Sequence, residues 1–300
     1  MFRRYRHHAS SLSNALTGES TITVTTPLVP VETVPRQPRA EGQARVAAKL
    51  AGNKTVLSGL YQSGSSKILL PRTSDTALTA VLLNTAGGVT GGDRIALTAK
   101  AEAGCDLTLT TQAAERIYRA QPGEVGAVST HLVAERGARI DWLPQETILF
   151  DRCALRRSLE ADLAADATLL LVEPVVFGRK AMGEDVTNGF FRDRIDIRRD
   201  GRPVFADATR LTGPVAQHLD TPAVAAGMRA MASLVYVGED AERHLAPLRK
   251  MMPGIGGVSL IRPGVLFARL LTPDSYLLRR CLIPMIETIR RAPLPKTWTL

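Results

Sequence analysis

The chain has 300 residues, 45% hydrophobic, 22% charged and only 5% aromatic, with 38 Lys and Arg against 29 Asp and Glu for a formal net charge of +9. With a mean hydropathy of +0.00, this composition excludes a disordered or fibrous protein; a chain of this length buries roughly 70–75% of its unfolded surface in one large or two modest domains. The longest apolar runs, such as 167–177, carry a Glu or a Pro and fall short of the roughly 20 residues of a membrane span. Three scattered cysteines, Cys105, Cys153 and Cys281, form neither a CxxC pair nor an even framework and point to a reducing cytoplasm; the first residues lack the apolar stretch of an export signal.

Residues 1–40 mix Ser, Thr, Pro and Arg without a sustained hydrophobic period and read as a flexible arm, with His7 and His8 as solvated passengers. From 41 to 215 short alternating apolar runs are broken by Gly, Asp and Asn, the pattern of strands. Leu78, Leu107, Ile140 and Leu169 open four such runs at spacings of 29, 33 and 29 residues, a loose internal repeat. Strand-rich repeats of this length cannot each bury an apolar face alone, so they predict a mainly β fold, a β-helix-like stack of sheets. A two-sheet sandwich has similar spacing and stays open on periodicity alone.

Residues 216–300 read as a small α+β subdomain packed on that body, in the order helix, hairpin, helix. TPAVAAGMRAM has Pro near a helix start and an alanine-rich content, and EDAERHLAPLRKMM puts Leu245, Leu248 and Met252 on one helical face. VSLIR and VLFARLL flank the turn Arg262-Pro263-Gly264, and TPDSYLLRRCLIPMIETIRR resumes helical spacing.

Four strings carry unusual residues. LLNTAGGVTGGD concentrates Gly87, Gly88, Gly91 and Gly92, a density that demands special backbone angles or close approach; with no GxxxxGK[ST] pattern and Asp93 at its end, it is a tight turn and not a phosphate loop. TTQAAERIYR holds Glu115, Arg116, Tyr118 and Arg119, a partner-facing or ion-paired group with no adjacent base and nucleophile. In WLPQETILFD, Pro144 marks an edge or corner beside Gln145, Glu146 and Asp151. LVEPVVFGRKAMGE buries Glu173 in an apolar run, followed by Arg179 and Glu184. A carboxylate there must be paired, protonated, metal-bound or facing a wet cavity, and an arginine such as Arg179, Arg192 or Arg194 is the expected partner. HExxH, GxSxG, a Rossmann fingerprint and a clustered His/Cys set are all missing from the sequence, and His131, His218 and His244 are scattered, so no catalytic residue is assigned.

In these four strings and the closing LPKTWTL, from about Arg45 to the C-terminus, the sequence resembles the urease accessory protein family UreD, also called UreH. The arm has no counterpart there, and Asp151-Arg152-Cys153 departs from the pattern, since the family commonly has a glycine after the aspartate. The resemblance implies a non-catalytic maturation scaffold that binds apo-urease on one side and UreF on the other, with the GTPase UreG beyond, and allows a dimeric assembly through UreF. It further implies that Ni²⁺ passes through in transit, with no tightly bound cofactor, along a path lined by Asp93, Glu173 and Asp207. Carboxylates hold nickel less tightly than a His/Cys cage, as a conduit requires. The net charge keeps a second class in view, a basic β-rich nucleic-acid-binding protein, against which stand the few aromatics available for base stacking.

Overall fold

The structure is a computed structural model that describes residues 37–73, 76–290 and 292–299. All but the last four residues of the expected arm, His7 and His8 included, lie outside the described residues. The chain enters through β1 (Glu41–Ala51), doubles back as β2 (Lys54–Gly64) and crosses to a second sheet through β3 (Ser66–Leu69) and β4 (Leu78–Asn84). Each following coil carries one strand of each sheet and a short third segment. The first has β5 (Arg94–Ala101), β6 (Asp106–Thr111) and β7 (Glu115–Ile117); the next has β8 (Gly126–Ala134), β9 (Arg139–Leu143) and β10 (Thr147–Leu149). Then β11 (Ala154–Leu163) leads to β12 (Thr168–Phe177), whose last residues supply the third segment themselves. The first sheet closes with β13 (Gly189–Arg199) and β14 (Arg202–Gly213), followed by α1 (Val215–Asp220). The second gains β15 (Ala230–Val237) and, after α2 (Ala241–Lys250), the hairpin β16 (Ile255–Arg262) and β17 (Val265–Thr272), before α3 (Ser275–Arg290).

The result is mainly β, a solenoid-like stack of about four turns. Strand order is β14-β13-β11-β8-β5-β1-β2 in the first sheet and β16-β17-β15-β12-β9-β6-β4-β3 in the second. In the second sheet Leu78 pairs with Leu107, Leu107 with Ile140 and Ile140 with Leu169, all in parallel register, so the sequence repeat is one column of the stack. A third ladder runs beside it: Val89 bridges Ile117, Ile117 pairs with Leu149, and Leu149 with Phe177. The four unusual strings thus occupy equivalent stations of successive coils, at the corner between the second sheet and the third ladder.

Apolar burial follows the register. Leu107, Leu109, Ile140, Leu169 and Leu171 meet Leu132, Leu159 and Ile195 between the sheets. A second cluster covers the other face of the second sheet, where Leu278, Leu282, Met285 and Ile286 of α3 pack on Leu170, Leu234 and Leu266. The third ladder has its own cluster, Val89, Ile117, Leu149 and Phe177 with Phe191 and Leu211.

Two expectations for the C-terminal region need restating. TPAVAAGMRAM is not a helix: Ala226 (φ 47°) and Gly227 (φ 81°) turn the chain, and β15 begins at Ala230. Every residue of β15 is buried and pairs with β12 on one side and β17 on the other, so tertiary pairing overrides alanine's helix propensity. The helix, hairpin and helix of 241–290 are present, but the hairpin is hydrogen-bonded into the second sheet, which runs unbroken from the coils into this region. No helix among the described residues is long and apolar enough to cross a membrane.

The four outer edges are β2, β3, β14 and β16. β3 has only 4 residues, and the register shifts at Ala47/Ala48, Ile197/Arg198 and Leu260/Arg262 put an irregularity in the pairing of each of the other three. At the unusual Asp151-Arg152-Cys153 turn, Arg152 adopts a left-handed φ of 59°, the conformation a glycine takes at no steric cost. Arg152→Gly is expected to stabilise the fold by about 1 kcal/mol, raising the melting temperature by about 2–4 °C; a calorimetric scan showing a lower value would mean that the arginine side chain contributes more than its backbone costs.

Candidate functional site

The corner where the four strings stack borders a partly open cavity of about 270 Å³ between the sheets. Its wall takes residues from every coil: Ser66, Asn84 and Gly87 at one end, then Thr111, Glu115 and Ile117, then Trp142, Gln145 and Thr147, and Arg157 and Glu173 at the other. Its location follows from the ladders. β9 pairs with β12 only through Thr168–Leu171, and β10 rejoins it at Val175–Phe177, so residues 172–174 have no parallel neighbour where the preceding coil turns its corner. Glu173 has the same strand parity as Leu169 and Leu171 and so faces the inter-sheet space, in a stretch where side chains switch from aliphatic to polar.

Glu173 is 4% exposed and is not met by Arg179, Arg192 or Arg194. Its partner is Arg157 of β11, whose Nη1 lies 2.5 Å from Glu173 Oε2, while Trp142 Nε1 donates to Oε1 at 2.7 Å. The same guanidinium donates twice to Asp193, at 2.9 and 2.7 Å, and once to Thr147 Oγ1 at 2.9 Å. Burial works against the charge on Arg157, but Asp193 and then Glu173 outweigh it and raise its pKa, so the cation persists. Two carboxylates thus share one cation. Burial, helped by the charge on Asp193, pushes the Glu173 carboxyl upward against the pull of Arg157.

Along the cavity, Glu115 accepts a hydrogen bond from Asn84 Nδ2 at 3.1 Å, and burial raises its pKa to about 7. Asn84 also donates to Gly88 O at 2.9 Å, which ties the acid to the glycine turn. A Cβ at Gly88 (φ 153°) would sit 2.7 Å from Arg116 O and collide with the Tyr118 ring, so close backbone approach decides that residue. Gly91 is under similar pressure from Ala120 and Glu124. Tyr118 Oη donates to Gly87 O at 3.2 Å and its ring meets Phe150 edge-on at 5.1 Å; Arg179 lies 4.2 Å over Phe150 and is ion-paired with Glu184. One column of side chains therefore links Gly87, Tyr118, Arg179 and Glu184 across the coils. Arg119 joins the turn through its carbonyl, which accepts from Thr90 Oγ1 at 2.8 Å.

Asp93 is buried but is not part of the cavity wall: its oxygens accept from Ala40 N–H at 2.7 Å and Thr90 N–H at 2.8 Å, clasping the glycine turn to the start of β1. Asp207 accepts from Arg269 Nη2 at 2.5 Å and lines a separate depression with Phe205, Ile261 and Phe267. Of the three acids on the expected path, only Glu173 faces the cavity, and Glu115 joins it there. Among the described residues no three His, Cys, Asp or Glu side chains converge to hold a metal.

Sequence reasoning missed Arg157, Asp193, Trp142 and Asn84. The signal for Arg157 and Asp193 was a charge of each sign at the inward positions of two adjacent alternating strands. It also missed Arg279, which donates to Gln145 Oε1 at 2.8 Å, to Glu146 at 3.1 Å and to Trp298 O at 2.6 Å, while Gln145 Nε2 donates to Thr297 O at 2.8 Å. The closing LPKTWTL string is thereby locked against the WLPQE corner.

The UreD urease accessory protein family profile matches residues 40–299. A urease accessory protein UreD of Roseobacter denitrificans is 54% identical over 264 residues, covering 88% of this chain and 96% of that protein. The chain belongs to the UreD family. Further UreD relatives in Ruegeria pomeroyi and Rhizobium etli are 52% and 48% identical and are each matched over 99% of their length. The UreD match spans all the coils and every residue of the cavity wall, and it assigns the chain a role in urease maturation.

Two outcomes test this geometry. Arg157→Met leaves Glu173 and Asp193 buried without their cation and is expected to destabilise the fold by about 3–5 kcal/mol at neutral pH, recovering as acid protonates them; chemical denaturation at two pH values reads both effects. Because the folded pKa of Glu115 lies above its unfolded value, the folded state holds the extra proton, and stability falls as pH rises from about 4.5 toward 7. Glu115→Gln should remove about 2 kcal/mol of that fall; an unchanged pH profile of unfolding would show that the acid is solvated.

Proposed function

We propose that the chain is a non-catalytic scaffold that docks apo-urease and the UreF/UreG complex and lets nickel pass along the inter-sheet cavity. The observation that carries this reading is a cavity with a largely apolar wall that borders successive coils, with two carboxylates, Glu115 and Glu173, set apart along it. Acids placed singly hold a divalent ion weakly enough to release it, whereas a converged cage would store it. Glu173 is held by Trp142 and by Arg157, a cation it shares with Asp193, and with its carboxyl pushed upward by burial a passing cation competes there with a proton. In this reading Asp93 acts by fixing the glycine turn, and the Tyr118, Arg179 and Glu184 column, with Gln145 and Arg279 at its side, shapes the docking corner.

The test is activation of apo-urease in cells carrying the partner genes, with nickel content and complex assembly measured together. Glu173→Gln and Glu115→Gln should each lower nickel incorporation about tenfold while the complex co-purifies intact. Wild-type incorporation in both single variants and in the double variant removes these acids from the route; loss of co-purification would place them in docking.

A further inference from the structure

The outer face of the first sheet carries a row of like charges. Arg156 of β11 is the direct partner of Arg192 of β13, and Arg192 of Arg210 of β14. Directly paired residues share a face, and all three are exposed, since the inward neighbours Arg157 and Asp193 occupy the opposite side. Among the described residues none of the three meets a carboxylate: the acids of this face pair elsewhere, Asp196 with Arg194, Glu160 with Arg198, and Asp162 with His131 and Arg198. The flanking positions on the same face are Ala154, Ser158, Ala208 and Thr212, with half-buried Phe190 and the already paired Arg194. On the far side of β11 the row passes through Ala127 to Arg94, which has Glu41 beyond it. Like charges directly opposite on neighbouring strands cost stability, and the fold relieves this cost with no acid of its own.

We propose that Arg156, Arg192 and Arg210 form a docking face for an acidic helix of a protein partner, lying across the strands. Adjacent strands are about 4.8 Å apart, close to the roughly 5–6 Å between side chains at i and i+4 of a helix, so Glu or Asp at i, i+4 and i+7 meets one guanidinium each. The small flanking residues leave a flat shelf for a helix. A flat sheet does not enter a duplex groove, and one half-buried phenylalanine is too little for base stacking, so charge and shape favour carboxylates over a nucleic acid.

The probe is a helical peptide with glutamates at i, i+4 and i+7, compared with a peptide of the same composition and scrambled glutamates and with duplex DNA, titrated at low salt by fluorescence anisotropy. The patterned peptide should bind more tightly than both, and Arg156→Gln/Arg192→Gln/Arg210→Gln should weaken it about tenfold, whereas Arg249→Gln/Arg280→Gln should not. The triple variant should also melt at a higher temperature than the parent at low salt, a readout that confirms folding and that an ordinary structural arginine would move the other way. Equal binding of the scrambled peptide, preference for DNA, undiminished binding by the triple variant, or a lower melting temperature of that variant each overturns the proposal.

Discussion

Lateral register between successive coils is the constraint on which the molecule rests. Parallel pairing places Leu78, Leu107, Ile140 and Leu169 side by side, and every other column follows from that alignment because side chains alternate with a period of two. A slip of one residue in any coil would send its aliphatics to the wrong face and its polar corner into the apolar interior. The helices α2 and α3 serve the same register by covering the second sheet's other face, which lets β12 and β15 be apolar on both sides.

The cavity is the place where that register is interrupted. Where β9 leaves β12 and β10 has not yet joined it, the stack cannot be filled by aliphatic columns, and the corner takes Glu173, Glu115 and their partners instead. Charge is managed there economically: one guanidinium spans two carboxylates from different strands, and an indole N–H fixes the remaining oxygen. Such an arrangement contributes little net stability, since desolvation offsets the attraction, but it specifies a unique geometry at the corner.

The β class, the stacked repeat and its phase were legible in the sequence because alternation and repeat spacing are local signals. Glu173 was legible because a carboxylate inside LLLVEPVVF contradicts its surroundings. Its partner was not: Arg179, Arg192 and Arg194 were the expected candidates, and that Arg157 takes the role depends on which residues of β11 and β13 point inward at that level, a matter of register between segments. The fate of TPAVAAGMRAM was equally hidden, since the strand after it is selected by two neighbours, one of them supplied by a hairpin formed later in the chain. The glycines around Asp93 marked a tight turn, and its place on a nickel path came only from the family resemblance; its role as a clasp depends on Ala40, over fifty residues earlier.

A body assembled by adding parallel rungs has no intrinsic terminus, and identical molecules could continue one another end to end as a fibre. The short β3 and the irregular pairing of each of the other three outer strands disturb the regular ladder that such growth needs. These irregularities act as stoppers against such growth, built into an otherwise polymer-like architecture.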